Sequence, residues 1–254
     1  MALAKFKFFP EKLCIQIIGQ DFNLKSIEGF YKILIKVEKE KSIKHLKIAG
    51  NFKSELFLKD ICLYNNFREF EEYINFFHKI AKIIEDSKVV FTSVLSGVVK
   101  GPAMEIALLC NFLRAKPDTV FSLDYADHGK MPYFGTTQRL TRLIGYQNTL
   151  KAFLIEKSIT YKKGLELNLF NHDIDNLKKI KKSNMVWDNI FTNTFIFYNS
   201  KIHSTFKNKK PAYNAILSTI FESCVCHKDV GVEVEKRWLK WLIDKKHKKV
   251  LKDT

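Results

Sequence analysis

The feature that most constrains this chain is a β-branched run, Val89 to Val94, followed by Gly97-Val-Val-Lys-Gly101-Pro102-Ala-Met-Glu105-Ile-Ala107. Extended residues, two glycines and a proline at the head of an apolar stretch predict a strand, a glycine loop and a helix. Pro102 suits the first helical turn, where the helix does not need its missing N–H. Glu105 is expected in that first turn, where a carboxylate is electrostatically favoured. About twenty residues on comes an echo, Phe121-Ser-Leu-Asp124-Tyr125, leading to Gly129, Pro132, Gly135 and Thr137-Gln138-Arg139-Leu140.

On either side the pattern alternates strands and helices. Leu13 to Ile18 and His45 to Ala49 read as strands. Phe22 to Val37 carries apolar residues at helical spacing with lysines between, and so does Asn66 to Glu85 (Phe67, Phe70, Ile74, Phe77, Ile80, Ala81, Ile84). Strand, helix, strand implies a β/α unit with its helix on a sheet. Beyond the glycine loop, Glu105 to Ala115 reads as one apolar helix and Val120 to Leu123 as a strand. Thr137 is expected to cap a helix from Gln138 to Ile144, ended by Gly145. Asn148 to Ile155 and Thr160 to Leu167 follow as helical. Lysines then crowd Ile174 to Ser183, which places a boundary near residue 185. Trp187 to Tyr198 is aromatic, and Pro211 to Phe221 and Val232 to Ile243 are helical.

A chain of 254 residues with 46% hydrophobic content and 22 phenylalanines can bury a large core. No apolar run approaches the ~20 residues that span a bilayer, and the N-terminal residues do not read as a signal peptide. A cytoplasmic protein is expected. Five scattered cysteines make no disulfide framework. Cys224-Val-Cys226-His227 is half of a metal-site spacing with no second pair nearby, so idle thiols and no metal are expected. The net charge of +16 fits lysines spread over a solvated surface. An anionic partner, nucleic acid among the candidates, is what such a charge could serve. The Lys245 to Lys249 run reads as the polar end of the last helix. His128 beside Asp127 reads as a solvated loop histidine before an acid/base dyad, and Trp238 and Trp241 as a packing face.

The two spaced segments resemble the signature of the crotonase (enoyl-CoA hydratase/isomerase) superfamily, G-x-x-x-G-G-G-x-E-x-A followed by F-G-x-P-E-x-x-x-G-x-x-P-x-x-G-G-T-Q-R-L. Gly97, Gly101, Glu105, Ala107, Phe121, Gly129, Pro132, Gly135, Thr137, Gln138, Arg139 and Leu140 match. From Pro211 onward the chain is most similar to the hydratase part of multifunctional fatty-acid oxidation enzymes. The resemblance implies an α/β spiral of ββα units, residues 1–185, with a helical oligomerisation region, residues 186–254. It implies an acyl-CoA thioester as substrate, coenzyme A entering only as part of it with no separate cofactor, and a homotrimer or hexamer.

The departures from the family pattern fall on its chemistry. In the family two backbone N–H groups hold the thioester oxygen and two glutamates handle water and proton. The first glutamate corresponds to Glu105. The second corresponds to Tyr125, a phenol whose reference pKa near 10 makes it a poor proton shuttle. One oxyanion donor corresponds to Leu56. The other, beside Gly101, corresponds to Pro102, which has no N–H. The resemblance thus implies a hydratase with a degraded site, or a homologue that binds acyl-CoA or a partner without turnover. RNA binding is a third, weaker reading.

Overall fold

The computed structural model describes residues 4–19, 22–53, 67–132, 134–170, 188–207 and 209–250, without the side chains of 67–70 and 245–250. They group into two compact units, Met1–Ser122 with Thr160–Lys179 and Leu123–Ile159 with Ile180–Thr254. Residues 123–159 therefore belong with the C-terminal helices. The boundary expected near 185 lies outside the described residues.

The first unit is built on a sheet of five described strands: β1 (Lys5–Phe9), β2 (Cys14–Ile18), β3 (His45–Gly50), β4 (Val90–Leu95) and β6 (Phe112–Ala115), while the short β5 (Val98–Val99) that follows β4 in the chain belongs to a separate small sheet. β1 runs antiparallel to β2, whereas β2, β3, β4 and β6 are parallel neighbours. Inward residues alternate as a half-buried pleat requires: Ile15 and Ile17 on β2, Leu46 and Ile48 on β3, Phe91 and Leu95 on β4 are all buried. α1 (Leu24–Lys39) and α2 (Phe67–Asp86) pack on each other. α1 buries Ile27, Phe30, Leu34 and Val37 and turns Lys25, Lys32, Lys36 and Lys39 to solvent, the face pattern that the spacing predicts. Each such apolar side chain contributes about 1.5–3 kcal/mol. Asn23 caps α1 by accepting the Ser26 N–H at 2.9 Å. α2 buries Tyr73, Ile74, Phe77, Ile80, Ala81 and Ile84, and the Tyr73 hydroxyl donates to the Phe22 carbonyl at 3.3 Å.

The helix expected from Glu105 to Ala115 is not formed. α3 covers only Gly101–Ala107. The chain turns through Leu108–Cys110, and Phe112–Ala115 becomes β6, in register with Thr92–Leu95 of β4. Asn111 fixes the turn by accepting the Phe91 N–H at 2.8 Å on its side-chain oxygen. A short apolar run fits a buried strand as well as a buried helix, and here the open edge of β4 decides. β7 (Val120–Ser122) pairs with β5. A short helix, Tyr161–Glu166, starts where Thr160 accepts the Lys163 N–H, as expected.

The second unit is helical: α4 (Thr136–Ile144), α5 (Tyr146–Lys151), a π-helical turn (Ala152–Glu156), α6 (Phe191–Phe206), α7 (Pro211–Val225) and α8 (Lys228–Val250). α7 lies at its centre, touching α4, α5, α6 and α8. It buries residues all round, from Ala212 to Cys224, as a helix with neighbours on every side must. The aromatic load of α6 meets it there: Phe191 and Phe195 sit 5.2 and 4.7 Å from Phe221. No helix among the described residues is long and apolar enough to cross a membrane.

Candidate functional site

The glycine loop lies in the sheet unit. β4 ends at Leu95, and Gly97 takes a left-handed backbone (φ +64°), donating its N–H to Asp118 Oδ2 at 3.1 Å and accepting the Val120 N–H at 2.9 Å. Lys100 donates its N–H to the Phe52 carbonyl at 3.0 Å. Gly101 is left-handed again (φ +64°), a conformation that costs glycine little. It is the first residue of α3, with Pro102 behind it. All seven residues of α3 are buried, Glu105 completely so. Glu105 is the fifth residue of the helix, one residue deeper than expected and just past the first turn, because the helix starts at the left-handed Gly101. Gly101, Pro102 and Glu105 therefore stand together, and the helix end carries no N–H at position 102. Leu56, the residue corresponding to the other donor, lies outside the described residues.

Tyr125 belongs to the helical unit. It sits in a 3-10 turn, Asp124–His128, closed by the left-handed Gly129 (φ +66°). Only 2% of Tyr125 is exposed. Its ring lies 6.1 Å from Phe153, and its carbonyl accepts the Lys130 N–H at 2.9 Å. The side chain is a buried aromatic packed near Phe153. His128 forms no dyad with Asp127. It contacts Asp124 at 3.2 Å, with the two side chains 61% and 44% exposed, an i,i+4 surface pair of small energetic weight. Asp127 instead accepts the Tyr213 hydroxyl, and the ammonium groups of Lys157 and Lys210 lie 3.9 and 3.7 Å from its carboxylate. Residues 127, 157, 210 and 213 come from three distant segments, so no local pattern could have signalled this cluster.

The Gly135-Thr-Thr-Gln-Arg-Leu140 segment, the strongest part of the signature, does structural work inside the helical unit. Thr137 does not cap α4. The cap is Glu235 of α8, which is 1% exposed and accepts the Gly135 N–H, the Thr137 N–H at 3.1 Å and the Thr137 hydroxyl. A carboxylate from the far end of the chain thus satisfies donors that the helix start leaves open. Burial pushes Glu235 up to about 7, against the pull of those donors and of Arg139. The Gln138 side-chain amide donates to the Thr219 carbonyl at 3.4 Å, and Arg142 bonds both Gln138 and, at 3.0 Å, the Cys226 carbonyl. A Cβ on Gly231 would meet Gln138 Oε1 at 1.9 Å, and one on Gly135 would meet Arg139 Nη1 at 2.6 Å. Nearby, the buried Cys224 thiol donates to the Ile220 carbonyl at 3.3 Å and is pushed up to about 11 by desolvation.

No family model matches the chain. In sequence it is 32% identical over 92 residues to the peroxisomal fatty acid β-oxidation multifunctional protein AIM1 of Arabidopsis thaliana, covering 36% of this chain and 13% of that protein. It is 25% identical over 173 residues to the fatty acid oxidation complex subunit alpha of Shewanella frigidimarina, covering 65% of this chain and 24% of that subunit. In structure it matches an enoyl-CoA hydratase from Mycobacterium avium subsp. paratuberculosis with a TM-score of 0.60 at 14% identity, over 94% of this chain and 89% of the other. The fold is that of the crotonases, and the glycine loop and the Thr-Gln-Arg-Leu segment are similar to the signature of that superfamily. In sequence the chain is similar to these fatty-acid oxidation proteins, of whose length it spans between an eighth and a quarter.

Proposed function

We propose that the chain binds acyl-CoA thioesters in fatty-acid oxidation, as a member of the hydratase/isomerase group whose hydration chemistry is greatly weakened. One observation carries the reading: Pro102 occupies the start of α3, three residues before the fully buried Glu105. Enoyl-CoA hydration needs a donor for the thioester oxygen, a group to activate water and a group to deliver a proton. Glu105, buried behind the glycine loop, is the group that could serve water or proton. The peptide nitrogen of Pro102 has nothing to donate, and losing one oxyanion donor lowers turnover about 10²–10³-fold. Tyr125, lining its own turn, offers a hydrogen bond at neutral pH and no ready proton transfer. What is left is a protein suited to holding a thioester more than converting it.

The same reading takes coenzyme A only as part of the ligand, with no separate cofactor, and places the protein in the cytoplasm as a homotrimer or hexamer. A groove of about 390 Å³ on the helical unit, lined by Glu222, Val234, Arg237, Trp238 and Trp241, supports self-association, since it leaves 39% of Trp241 exposed. The test is calorimetric titration with acetyl-CoA and crotonyl-CoA beside a crotonyl-CoA hydration assay. Binding with little or no turnover is the expected result. Ordinary turnover refutes the weakened chemistry, and absence of binding refutes the ligand class.

A further inference from the structure

The cluster around Lys157 is not explained by the signature or by the proposed ligand binding. Lys157 ends the π-helical turn Ala152–Glu156 and takes a left-handed backbone (φ +59°). A π-turn and a left-handed non-glycine residue are both uncommon and concentrate at functional positions. The backbone is held there because the Lys157 carbonyl accepts the Leu123 N–H at 2.7 Å. The side chain, 24% exposed, lies over the Tyr213 ring at 4.0 Å and hydrogen-bonds its hydroxyl oxygen.

Charge is unevenly matched in this cluster. Two ammonium groups, Lys157 and Lys210, share the Asp127 carboxylate at 3.9 and 3.7 Å, and Asp127 already accepts the Tyr213 hydroxyl. Lys210 lies closer to that carboxylate and also lies over the Phe206 ring at 5.1 Å. Lys157 is left with the longer ion pair and the drier position. Burial and the neighbouring Lys210 push its ammonium down, outweighing Asp127 and Asp124, which hold it up. A desolvated lysine beside a second cation is an activated amine.

We propose that Lys157 is a reactive lysine that takes an acyl group from a thioester. Its neutral Nζ attacks the acyl carbonyl and a C–N bond forms. The C–S bond breaks with its electron pair leaving on sulfur, Nζ gives one proton to water, and the thiolate takes one up. The products are an amide on Lys157 and a free thiol, with no redox change. The donor class rests on the proposed acyl-CoA binding, whereas the reactivity of the amine stands without it.

Two probes separate those parts. The protein is labelled sparingly with trinitrobenzenesulfonate, which reads amine reactivity alone, and in parallel with acetyl-CoA, each followed by peptide mapping. Lys157 is expected to label roughly fivefold or more above the median lysine with both, and its labelling with the sulfonate is expected to level off at lower pH than that of the other lysines. Lys210→Met is expected to slow Lys157 labelling and Asp127→Asn to speed it. The pH profile of the unaltered protein decides if either variant fails to fold. Median labelling by trinitrobenzenesulfonate overturns the proposal. Fast sulfonate labelling without acetylation, in protein that calorimetry shows to bind acetyl-CoA, overturns the acyl-transfer half. The same result without acetyl-CoA binding counts against the ligand class instead.

Discussion

Glu235 should make the stability of this protein fall as pH rises through neutrality. Its carboxylate is 1% exposed and ties α8 to the start of α4 through Gly135 and Thr137. Burial raises it from the 4.5 of an exposed glutamate to about 7, so the folded state holds the proton more tightly than the unfolded chain does. The stabilisation belonging to the protonated form is complete below about 4.5 and is lost as pH rises through about 7. Between pH 5.5 and 8.5 this single group should remove about 2 kcal/mol. The measurement must be differential, so that every other group cancels: urea unfolding of the unaltered protein and of Glu235→Gln across the range. The amide cannot ionise, and one of its ends faces a donor where it should face an acceptor. We expect Glu235→Gln to be less stable by about 1–3 kcal/mol at pH 5.5, and the gap to narrow steadily by pH 8.5. Glu235→Ala, which leaves three buried donors without an acceptor, should cost about 3–5 kcal/mol at pH 5.5, beyond the ordinary range for a point change. A gap between the unaltered protein and Glu235→Gln that stays constant or widens with pH would show that the three donors and Arg139 outweigh burial, which would refute the reasoning.

Gly231→Ala should destabilise by about 1–3 kcal/mol in the same urea assay, because its Cβ would enter the Gln138 amide at 1.9 Å. Pro102→Gly returns a backbone donor and Tyr125→Glu returns a carboxylate. Assayed on crotonyl-CoA, the double variant should exceed the product of the single gains, since groups that act as a unit do not add, and a folded, acyl-CoA-binding double variant with no hydration would place the defect elsewhere. Light scattering at micromolar concentration should show an oligomer, and Trp241→Glu, which puts a charge on the groove of α7 and α8, should shift it toward monomer. A monomer before the substitution would remove the proposed self-association.

The helices α1 and α2 were legible because their apolar residues repeat at the helical period and a single face was buried (Ile27, Phe30, Leu34, Val37; Ile74, Phe77, Ile80, Ile84). The glycine loop, Pro102 and Glu105 were legible because they are contiguous, so their grouping on one loop and helix needs no tertiary information. The segment Phe112–Ala115 was not, since its apolar run has no period to separate strand from helix, and only the hydrogen-bonding edge of β4 made it a strand. The role of Thr137 was misread for a related reason. A cap was rightly demanded at that helix start, but the acceptor came from Glu235, 98 residues away, and local pattern cannot rank a distant carboxylate against a nearby hydroxyl. The Asp127, Lys157, Lys210 and Tyr213 cluster was invisible for the strongest reason. Each residue is unremarkable in its own segment, and their chemistry exists only once the fold has brought one carboxylate, one phenol and two ammonium groups within a few ångströms of each other.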